Sequence, residues 1–284
     1  MNTLFQKIYL YICNRSKSVI VKLWGTKDYN YRSKYNASFV LNLKKDVDRY
    51  FFFDAFEDDT LKLFQDLVNQ NDIVVDVGAN IGIYSVLASK KNSTGGKVIS
   101  FEPSDWAHSR LLKNIERNGC GNVSVYKNAV SRKTETLQFH VCEDDAYNSI
   151  GAMPMLQVKT IKTIEAVALD EFLPSIGISK VDVLKIDTEG ADYLVLMGFG
   201  NYLRKDDAPI VFCEYNRNIT SGYDYQLKDL YMFLISLGFT VYELDGHSLK
   251  IFDPETSNSN EIICTKPSKD SILRTAVYEK TISR

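Results

Sequence analysis

The stretch Ile73–Lys90 reads IVVDVGANIGIYSVLASK and decides the fold of this chain. Its first part, Ile73–Val77, is an almost continuous apolar run, as expected for a strand covered on both faces of a parallel sheet. A short loop containing Gly78 and Gly82 follows, and the helical pattern over Ile81–Lys90 overlaps the end of that loop. The stretch therefore predicts a strand, a tight turn and a helix, the start of a β-α-β unit.

The same alternation of strands and helices continues toward the C-terminus. Further strands are predicted at Val98–Phe101, Val123–Tyr126, Val181–Ile186, Ile210–Cys213, Phe239–Leu244 and Ile262–Cys264, and helices at Trp106–Asn118, Asp192–Met197 and Tyr225–Ser236. Two extra strands, Thr136–Cys142 and Val158–Ile164, flank a polar loop. This order indicates an α/β fold with a doubly wound, mostly parallel sheet and helices on both faces.

The region before this unit contains a predicted hairpin and a basic segment. Ser38–Leu43 and Arg49–Phe53 predict two short strands around a polar turn. No internal repeat or low-complexity linker interrupts the rest of the sequence. We therefore expect an N-terminal amphipathic helix and β-hairpin extension (1–55), one main domain (56–265) and a C-terminal tail (266–284).

The overall composition excludes several classes of protein. The chain has 284 residues, is 45% hydrophobic, and carries 34 Lys and Arg against 36 Asp and Glu, a net charge of -2. This balance argues against intrinsic disorder and against a dedicated nucleic-acid binder, which needs a basic surface. The cysteines are odd in number and form no CxxC pair: Cys13, Cys120, Cys142, Cys213 and Cys264. Scattered single thiols predict a cytoplasmic protein with reduced cysteines.

The first 27 residues differ from the rest in charge. They contain five bases and no acid, so the remaining residues carry 29 bases against 36 acids. No apolar run reaches the length of a membrane span, and no small-residue cleavage site follows. A basic amphipathic helix here either packs on the main domain or on a second subunit of a homo-oligomer, or lies peripherally on an anionic membrane.

The loop after the first predicted strand is a candidate ligand site. An open parallel sheet binds its ligand beyond the carboxyl ends of its strands. Gly78 lets the chain turn sharply and approach a ligand, and Gly82 opens a helix whose N-terminal amides favour a negative group. The alternative interpretation is a turn that only packs the helix.

An acid follows the next predicted strand. Glu102 comes 26 residues after Asp76 and can accept two hydrogen bonds from a ribose diol. Alternatively, it is an N-cap partner for the helix that begins near Ser104. The glycine loop and this acid together indicate a cofactor that contains a nucleoside.

The loop also indicates which nucleoside. The GxGxxG pattern of dinucleotide sites is absent. Asp76, just before the first glycine, would repel a pyrophosphate but could bind the ammonium of an amino-acid group. This combination points to S-adenosylmethionine (SAM), which carries an ammonium, a carboxylate and a ribose but no phosphate.

Three further motifs complete a family pattern. They are Leu184-Lys-Ile-Asp-Thr-Glu-Gly-Ala191, Leu169-Asp-Glu-Phe172 and Glu214 at the end of a strand. With the motifs above, the sequence resembles the FkbM-type SAM-dependent methyltransferases over roughly residues 38–245. The resemblance implies a class I methyltransferase (Rossmann-like) fold, a seven-stranded sheet closed by a reversed strand, and O-methyl transfer to a sugar or another hydroxylated natural product. Thr188 and Asp192 depart from the Val and Glu that are common in the family.

The resemblance assigns residues to the cofactor. It implies that Asp76, Gly78, Asn80 and Gly82 hold the methionine part and that Glu102 holds the ribose hydroxyls. Asn128 follows a strand where this fold usually contacts adenine; a turn residue that bonds its own backbone is the alternative.

Candidate catalytic residues follow the central strands. A sugar hydroxyl is a poor nucleophile, so a base or a cation must help to remove its proton. Asp187 and Glu189 are two residues apart at a strand end, and Glu214 ends the adjacent strand. His247 lies in a loop on the same side and is either a further base or an ordinary turn residue.

Acidic residues at one cleft also allow a divalent cation. Hard cations prefer oxygen ligands, and Asp187 and Glu214 would supply them. The alternative is that Glu189 caps the next helix and that only Asp187 is functional.

The acceptor and the function class remain open in part. Loop Glu143–Pro154, with Tyr147, Asn148 and Ser149, and the N-terminal region with Tyr50 and Glu57 are expected to form the acceptor site. We predict a small-molecule or glycan acceptor, lipid-linked glycans included. The alternatives are an RNA or protein methyltransferase, a non-catalytic cofactor-binding module and a nicotinamide-linked dehydrogenase.

Overall fold

The computed structural model describes residues 28–151, 158–217, 222–246 and 248–282. The chain divides into two compact units at Asp58/Asp59. The basic segment 1–27 lies outside the described residues, so its helix and its predicted contacts stay predictions. His247 also lies outside them, as do residues 152–154 of the predicted acceptor loop.

The N-terminal unit contains a hairpin and a helix. Strands β1 (Asp28–Arg32) and β2 (Ser38–Asn42) pair antiparallel, and helix α1 spans Asp46–Phe52. The strand predicted at Arg49–Phe53 is therefore wrong: the hairpin lies one strand earlier. Two acids in the first turn, Asp46 and Asp48, favour a helix because the N-terminal end of a helix attracts negative charge.

The larger unit is built on one eight-stranded sheet. Its strands are β3 (Ile73–Val77), β4 (Lys97–Phe101), β5 (Val123–Tyr126), β9 (Val183–Ile186), β10 (Ile210–Glu214), β11 (Thr240–Asp245), β12 (Ser248–Ile251) and β13 (Glu261–Thr265). The order is β12-β11-β13-β10-β9-β3-β4-β5. β13 runs antiparallel to both of its neighbours, whereas β10, β9, β3, β4 and β5 are parallel. The class I methyltransferase fold is confirmed, and β12 adds an eighth strand at the edge next to β11.

Helices connect these strands. They are α2 (Asp58–Leu67), α3 (Ile83–Lys91), α4 (Asp105–Asn118), α5 (Leu169–Ser175), α6 (Asp192–Met197), α7 (Gly200–Leu203), α8 (Leu227–Ser236) and α9 (Pro267–Ile282). Every residue of α3 from Ile83 to Ser89 is buried, so this helix lies in the core. The residues predicted as a C-terminal tail form α9, which contacts β12 and β13.

A separate three-stranded sheet contains the two extra strands. It consists of β6 (Ala129–Val130), β7 (Glu135–Cys142) and β8 (Val158–Val167), in the order β6-β8-β7. A short 3-10 helix at Asp145–Tyr147 lies in the connection between β7 and β8. No helix among the described residues is long and apolar enough to cross a membrane.

The register of the central strands places the predicted site residues at one edge. Val77 is paired with Phe101 on one side and with Ile186 on the other, and Ile186 is paired with Cys213. The residues that come next in the chain therefore meet at the carboxyl ends of four adjacent strands, where a ligand site is expected. These residues are Gly78, Glu102, Asp187 and Glu214.

Candidate active site

The loop after β3 is fixed by its glycines. Gly78 has φ +78, and the N–H groups of Gly78 and Ala79 both donate to the Phe101 carbonyl at 3.0 Å. A Cβ at Gly78 would lie 1.8 Å from the carbonyl oxygen of Asp187. Only glycine therefore fits here, and the backbone that approaches it closely is the turn that carries Asp187.

Glycine is required at position 82 for a different structural reason. Its φ is +88 at the start of α3, and a Cβ would lie 2.4 Å from Leu111 Cδ1. Helix α3 can therefore pack closely on α4 only with glycine at this position. This close packing fits the alternative interpretation of the loop, and it leaves the amides at the helix N-terminus at the site edge.

Glu102 connects the loops after β3 and β4. Its carboxylate accepts the Asn80 N–H at 2.9 Å through Oε2 and the Ser104 N–H at 2.8 Å through Oε1. Burial raises the pKa of Glu102 to about 7. The predicted contact with the start of α4 is present. Each oxygen keeps a second lone pair, so the carboxylate can also accept a ribose hydroxyl.

Asp76 is buried at the end of β3. The Ser85 hydroxyl donates to its Oδ2 at 2.5 Å, and Ser85 and Ser100 are hydrogen-bonded at 2.7 Å. Burial raises the pKa of Asp76 to about 6. This carboxylate therefore joins β3, α3 and β4 through hydroxyls. Its contact with a ligand ammonium stays a prediction.

Asn128 is half-buried and lies between β5 and β6. Its role toward adenine stays a prediction.

Three carboxylates face one another beyond the ends of β9 and β10. We call this side of the sheet edge the acceptor half of the candidate site, and the side with the loops after β3 and β4 the cofactor half, after their predicted ligands. One oxygen each from Asp187, Glu189 and Glu214 lies within 4.8 Å of the other two, and all three residues are half-buried. Glu189 has φ +52. Helix α6 begins at Asp192 after Ala191, which makes no side-chain cap. The N-cap position of α6 is therefore Ala191 and not Glu189, and the role of the Glu189 side chain stays a prediction.

Asp192 instead holds the turn that carries Glu189. Its carboxylate accepts the Thr188 N–H at 3.3 Å and the Gly190 N–H at 3.2 Å. Burial raises the pKa of Asp192, and Asp187 raises it further. Sequence reasoning treated Asp192 as a family departure and missed this role, although an acid two residues after a glycine turn is a usual signal for a helix start.

Glu214 has the most unusual surroundings of the three carboxylates. The Asn216 amide donates to its Oε1 at 3.2 Å. Its Oε2 is buried and has no hydrogen-bond partner. Burial raises the pKa of Glu214 well above its usual range, and the negative charges of Asp187 and Glu189 raise it further. A buried polar atom without a partner is costly and requires an explanation.

Lys185 is a buried cation next to this group. Its Nζ lies 3.6 Å from Asp187 Oδ2, 3.8 Å from Glu261 Oε1 and 5.0 Å from the centre of the Tyr84 ring. Lys185 therefore pairs with two carboxylates inside the fold. Because Lys185 is shared between two acids, it offsets only part of the negative charge at the site.

Two tyrosines after β10 hold the same turn, and sequence reasoning missed both. The Tyr223 hydroxyl donates to the Glu189 carbonyl at 3.2 Å and accepts the Gly151 N–H at 3.1 Å. The Tyr225 hydroxyl donates to the Gly190 carbonyl. Their position after a strand that ends at this edge is the one signal that could have indicated them.

The predicted acceptor loop uses its polar groups internally where it is described. Asn148 Oδ1 accepts the Cys142 N–H at 2.7 Å, and Ser149 Oγ donates to the Gly151 carbonyl at 2.8 Å. The loop is joined to the cofactor half because Ser104 Oγ donates to Asp145 Oδ1 at 2.6 Å. Tyr50 and Glu57 belong to the N-terminal unit.

Comparison with known proteins gives matches to methyltransferases. The family model of the methyltransferase FkbM domain matches residues 76–241. The chain is 30% identical over 155 residues to the hexuronic acid methyltransferase AglP of Haloferax volcanii. This alignment covers 55% of this chain and 61% of that protein. It is 25% identical over 157 residues to the methyltransferase sdnD of Sordaria araneosa, and this alignment covers 45% of this chain and 60% of that protein. The chain thus spans about three fifths of the length of these curated relatives.

Solved methyltransferase structures are also similar. The FkbM methyltransferase of Methylobacillus flagellatus aligns with a TM-score of 0.46 at 15% identity, over 69% of this chain and 44% of that one. An O-methyltransferase from Bacillus cereus aligns with a TM-score of 0.43 at 13% identity, over 72% of this chain and 79% of that one. The resemblance seen in the motifs is confirmed by the match over more than half of the chain, which belongs to the FkbM methyltransferase family.

Proposed function

We propose that this protein is a SAM-dependent O-methyltransferase that acts on a hydroxyl group of a sugar, a glycan or a related natural product. The observation that carries the proposal is the placement of Asp187, Glu189 and Glu214. Their carboxylates face one another beside the β3 loop, and the backbone of Gly78 contacts that of Asp187. Groups able to accept a proton therefore lie next to the predicted cofactor loop.

The described residues fit the cofactor. The buried hydroxyl oxygen of Thr188 has no hydrogen-bond partner, and its Cγ2 lies 3.6 Å from the position of a Gly78 Cβ. An orphaned polar atom at this point is consistent with a bound polar ligand. Glu102 would hold the ribose and the loop from Asp76 to Gly82 the methionine part. When bound, SAM supplies a methyl group on a sulfonium, and its transfer leaves S-adenosylhomocysteine.

The carboxylates supply the remaining chemistry. The acceptor hydroxyl must lie in line with the methyl group, and holding that geometry accounts for much of the acceleration. Asp187 is held by Lys185 at 3.6 Å and is our candidate for the base that takes the hydroxyl proton as the new O–C bond forms. Glu189 and Glu214 would orient the acceptor through its neighbouring hydroxyls.

A sugar acceptor is supported by a relative as well as by the carboxylates. The name of the Haloferax protein says that it methylates a hexuronic acid. Carboxylates are also suitable acceptors for the hydroxyl groups of carbohydrates. We infer a carbohydrate acceptor for this chain from these two points.

The proposal can be tested with the purified full chain. Calorimetry should show binding of SAM and no binding of NAD; the reverse result would contradict it. S-Adenosylhomocysteine release should then be measured with sugar nucleotides, oligosaccharides with and without hexuronic acid, and RNA. Turnover with a carbohydrate supports the proposal. Turnover with RNA and with no carbohydrate would contradict it and identify a nucleic acid as the acceptor.

A further inference from the structure

We propose that Asp187, Glu189 and Glu214 bind a divalent metal ion with hard oxygen chemistry, such as Mg²⁺ or Mn²⁺, which positions the acceptor. This inference rests on the proposed function, because it assigns a cation to the acceptor half of the same site. The argument starts from the distances between the three carboxylates.

The geometry suits a single ion. One oxygen from each of the three residues lies within 4.8 Å of the others. Mg²⁺ binds oxygen at about 2.0–2.1 Å, so two ligands of one ion are at most about 4 Å apart, and small rotations of the carboxylate side chains bring their oxygens to that distance. The three oxygens are therefore close enough to share one ion without rearrangement of the strand ends that carry them.

The second observation is the buried carboxylate oxygen of Glu214. Oε2 has no hydrogen-bond partner, although Oε1 is held by the Asn216 amide. An acid in this position, facing Asp187 and Glu189, requires a compensating positive group. The Nζ of Lys185 lies near two other acids, Asp187 at 3.6 Å and Glu261 at 3.8 Å.

The turn geometry brings the carboxylates together at some cost. Glu189 has φ +52, a conformation that is unfavourable for a residue with a side chain. The hydroxyl of Tyr223 and the carboxylate of Asp192 stabilise this turn through its backbone. The fold thus holds three carboxyl groups at short range, and a bound cation would stabilise all three in the ionised form.

The cation also explains how a polar acceptor can enter an acidic site. Three carboxylates repel an anionic sugar such as a hexuronic acid, and a cation between them and the sugar removes that repulsion. Two adjacent hydroxyls of the acceptor can complete the ion's coordination, which orients one of them for methyl transfer and lowers its pKa. Catechol-like or sugar diols are therefore the expected acceptors, and isolated alcohols are not.

The test uses metal binding as its readout and does not depend on activity. Mn²⁺ alone is titrated into the metal-stripped full chain and followed by calorimetry and by electron paramagnetic resonance. We expect saturable binding of one ion per chain and a rise in Tm with Mn²⁺ or Mg²⁺. Glu214→Gln should weaken binding at least about tenfold. Glu255→Gln, which changes an exposed acid paired with Lys228, is the control and should bind as the wild type does.

Glu214→Gln also separates this inference from a simpler one. Glutamine closely mimics a protonated glutamic acid, so a Glu214 that is only a neutral hydrogen-bonding group would tolerate the change. Removing one of the crowded charges should keep the metal-free variant folded, and Glu189→Gln provides a second variant. Equal Mn²⁺ affinity in Glu214→Gln and wild type, or no binding by the wild type at millimolar Mn²⁺, overturns the proposal.

Failure of the cation and failure of the proposed function give different results. A protein stripped with EDTA that binds SAM and methylates a sugar at full rate contradicts only the cation. A protein that binds Mn²⁺ through these residues but releases no S-adenosylhomocysteine with any carbohydrate keeps the metal site and contradicts the proposed acceptor.

Discussion

Glu102 and Glu214 are two glutamates at the same edge of the sheet, and their carboxylates have opposite surroundings. Both oxygens of Glu102 accept backbone N–H groups, from Asn80 and Ser104. In Glu214 one oxygen accepts the Asn216 amide and the other is buried without a partner. The comparison distinguishes an acid whose oxygens hold two loops together from an acid with one buried oxygen that the fold leaves without a hydrogen bond.

The largest loss of stability is expected for a substitution at Gly78, where the cofactor half of the site contacts the acceptor half. Gly78→Ala would place a Cβ 1.8 Å from the Asp187 carbonyl oxygen, at a φ of +78. We expect the free energy of unfolding to fall by about 3 kcal/mol or more, measured by urea denaturation. Gly177→Ala is the matched control, since Gly177 has φ +76 and a Cβ there would meet no atom within 4 Å. Gly177→Ala should lower the free energy of unfolding by only about 1 kcal/mol. Equal losses in the two variants would contradict a close backbone contact between Gly78 and Asp187.

Asp187→Asn probes the acceptor half alone. Without a carboxylate to take the proton, kcat should fall about 100-fold or more. The affinity for SAM should be nearly unchanged, because the contacts that we predict for Gly78 and Glu102 with the cofactor are kept. Steady-state kinetics and SAM calorimetry check these two results, with the exposed Asp253→Asn as control. A loss of SAM affinity with normal kcat would assign Asp187 to the cofactor half.

The pH dependence of stability tests both halves. Burial raises the pKa of Asp76 to about 6 and of Glu102 to about 7, and it also raises that of Asp192. In the unfolded chain these acids titrate near pH 4, so the folded protein holds more protons between about pH 4 and 7. The free energy of unfolding should therefore fall as pH rises through this window, by roughly 4 kcal/mol from pH 5 to 8.

This trend is measured by urea denaturation of the ligand-free protein across the window. Glu102→Gln cannot titrate and should flatten the curve. Stability that rises with pH from 5 to 8 would show that these acids are better stabilised as carboxylates than their burial indicates.

Glu102→Gln also probes the cofactor half at constant pH. Glutamine offers one acceptor oxygen instead of two, so its amide opposes the N–H of Asn80 or Ser104. The affinity for SAM should fall about tenfold, the effect of one lost hydrogen bond. The kcat at saturating SAM should stay close to that of the wild type. Unchanged SAM affinity would remove Glu102 from the ribose.

Thr188→Val should have the smallest effect. The Thr188 hydroxyl is buried without a partner, and valine has nearly the same shape without the oxygen. We expect the ligand-free protein to gain about 1 kcal/mol in stability, measured by urea denaturation. A loss of stability would show that the hydroxyl is satisfied inside the fold, and a drop in SAM affinity would assign it to the cofactor.

The residues that the sequence predicted well are those whose signal is local. The apolar run Ile73–Val77 and its glycine loop specify a buried parallel strand and a turn within ten residues, and Glu102 follows one strand later. The run of phenylalanines at 51–53 was interpreted as a strand, because its apolar character is equally compatible with the helix that Asp46 and Asp48 start. Short apolar runs do not separate these two structures.

The supports of the acceptor half depend on contacts distant in sequence. Tyr223 bonds the Glu189 carbonyl across 34 residues and the Gly151 N–H across 72. Neither contact leaves a periodic pattern in the sequence. The strand ends and the carboxylates that follow them were therefore predictable, whereas the hydroxyls that fix their turn were not.

The contact between Gly78 and Asp187 has a consequence for engineering. A library that varies residues 76–82 or 187–190 to obtain a new acceptor would disturb the proposed donor and acceptor sites together, because the two segments share one backbone contact. Residues 143–151 carry no part of this contact, although Asp145 accepts the Ser104 hydroxyl and the Gly151 N–H donates to the Tyr223 hydroxyl. Asp145 and Gly151 should be kept. Diversity for new acceptors is best introduced in that loop, with the strand ends left as they are.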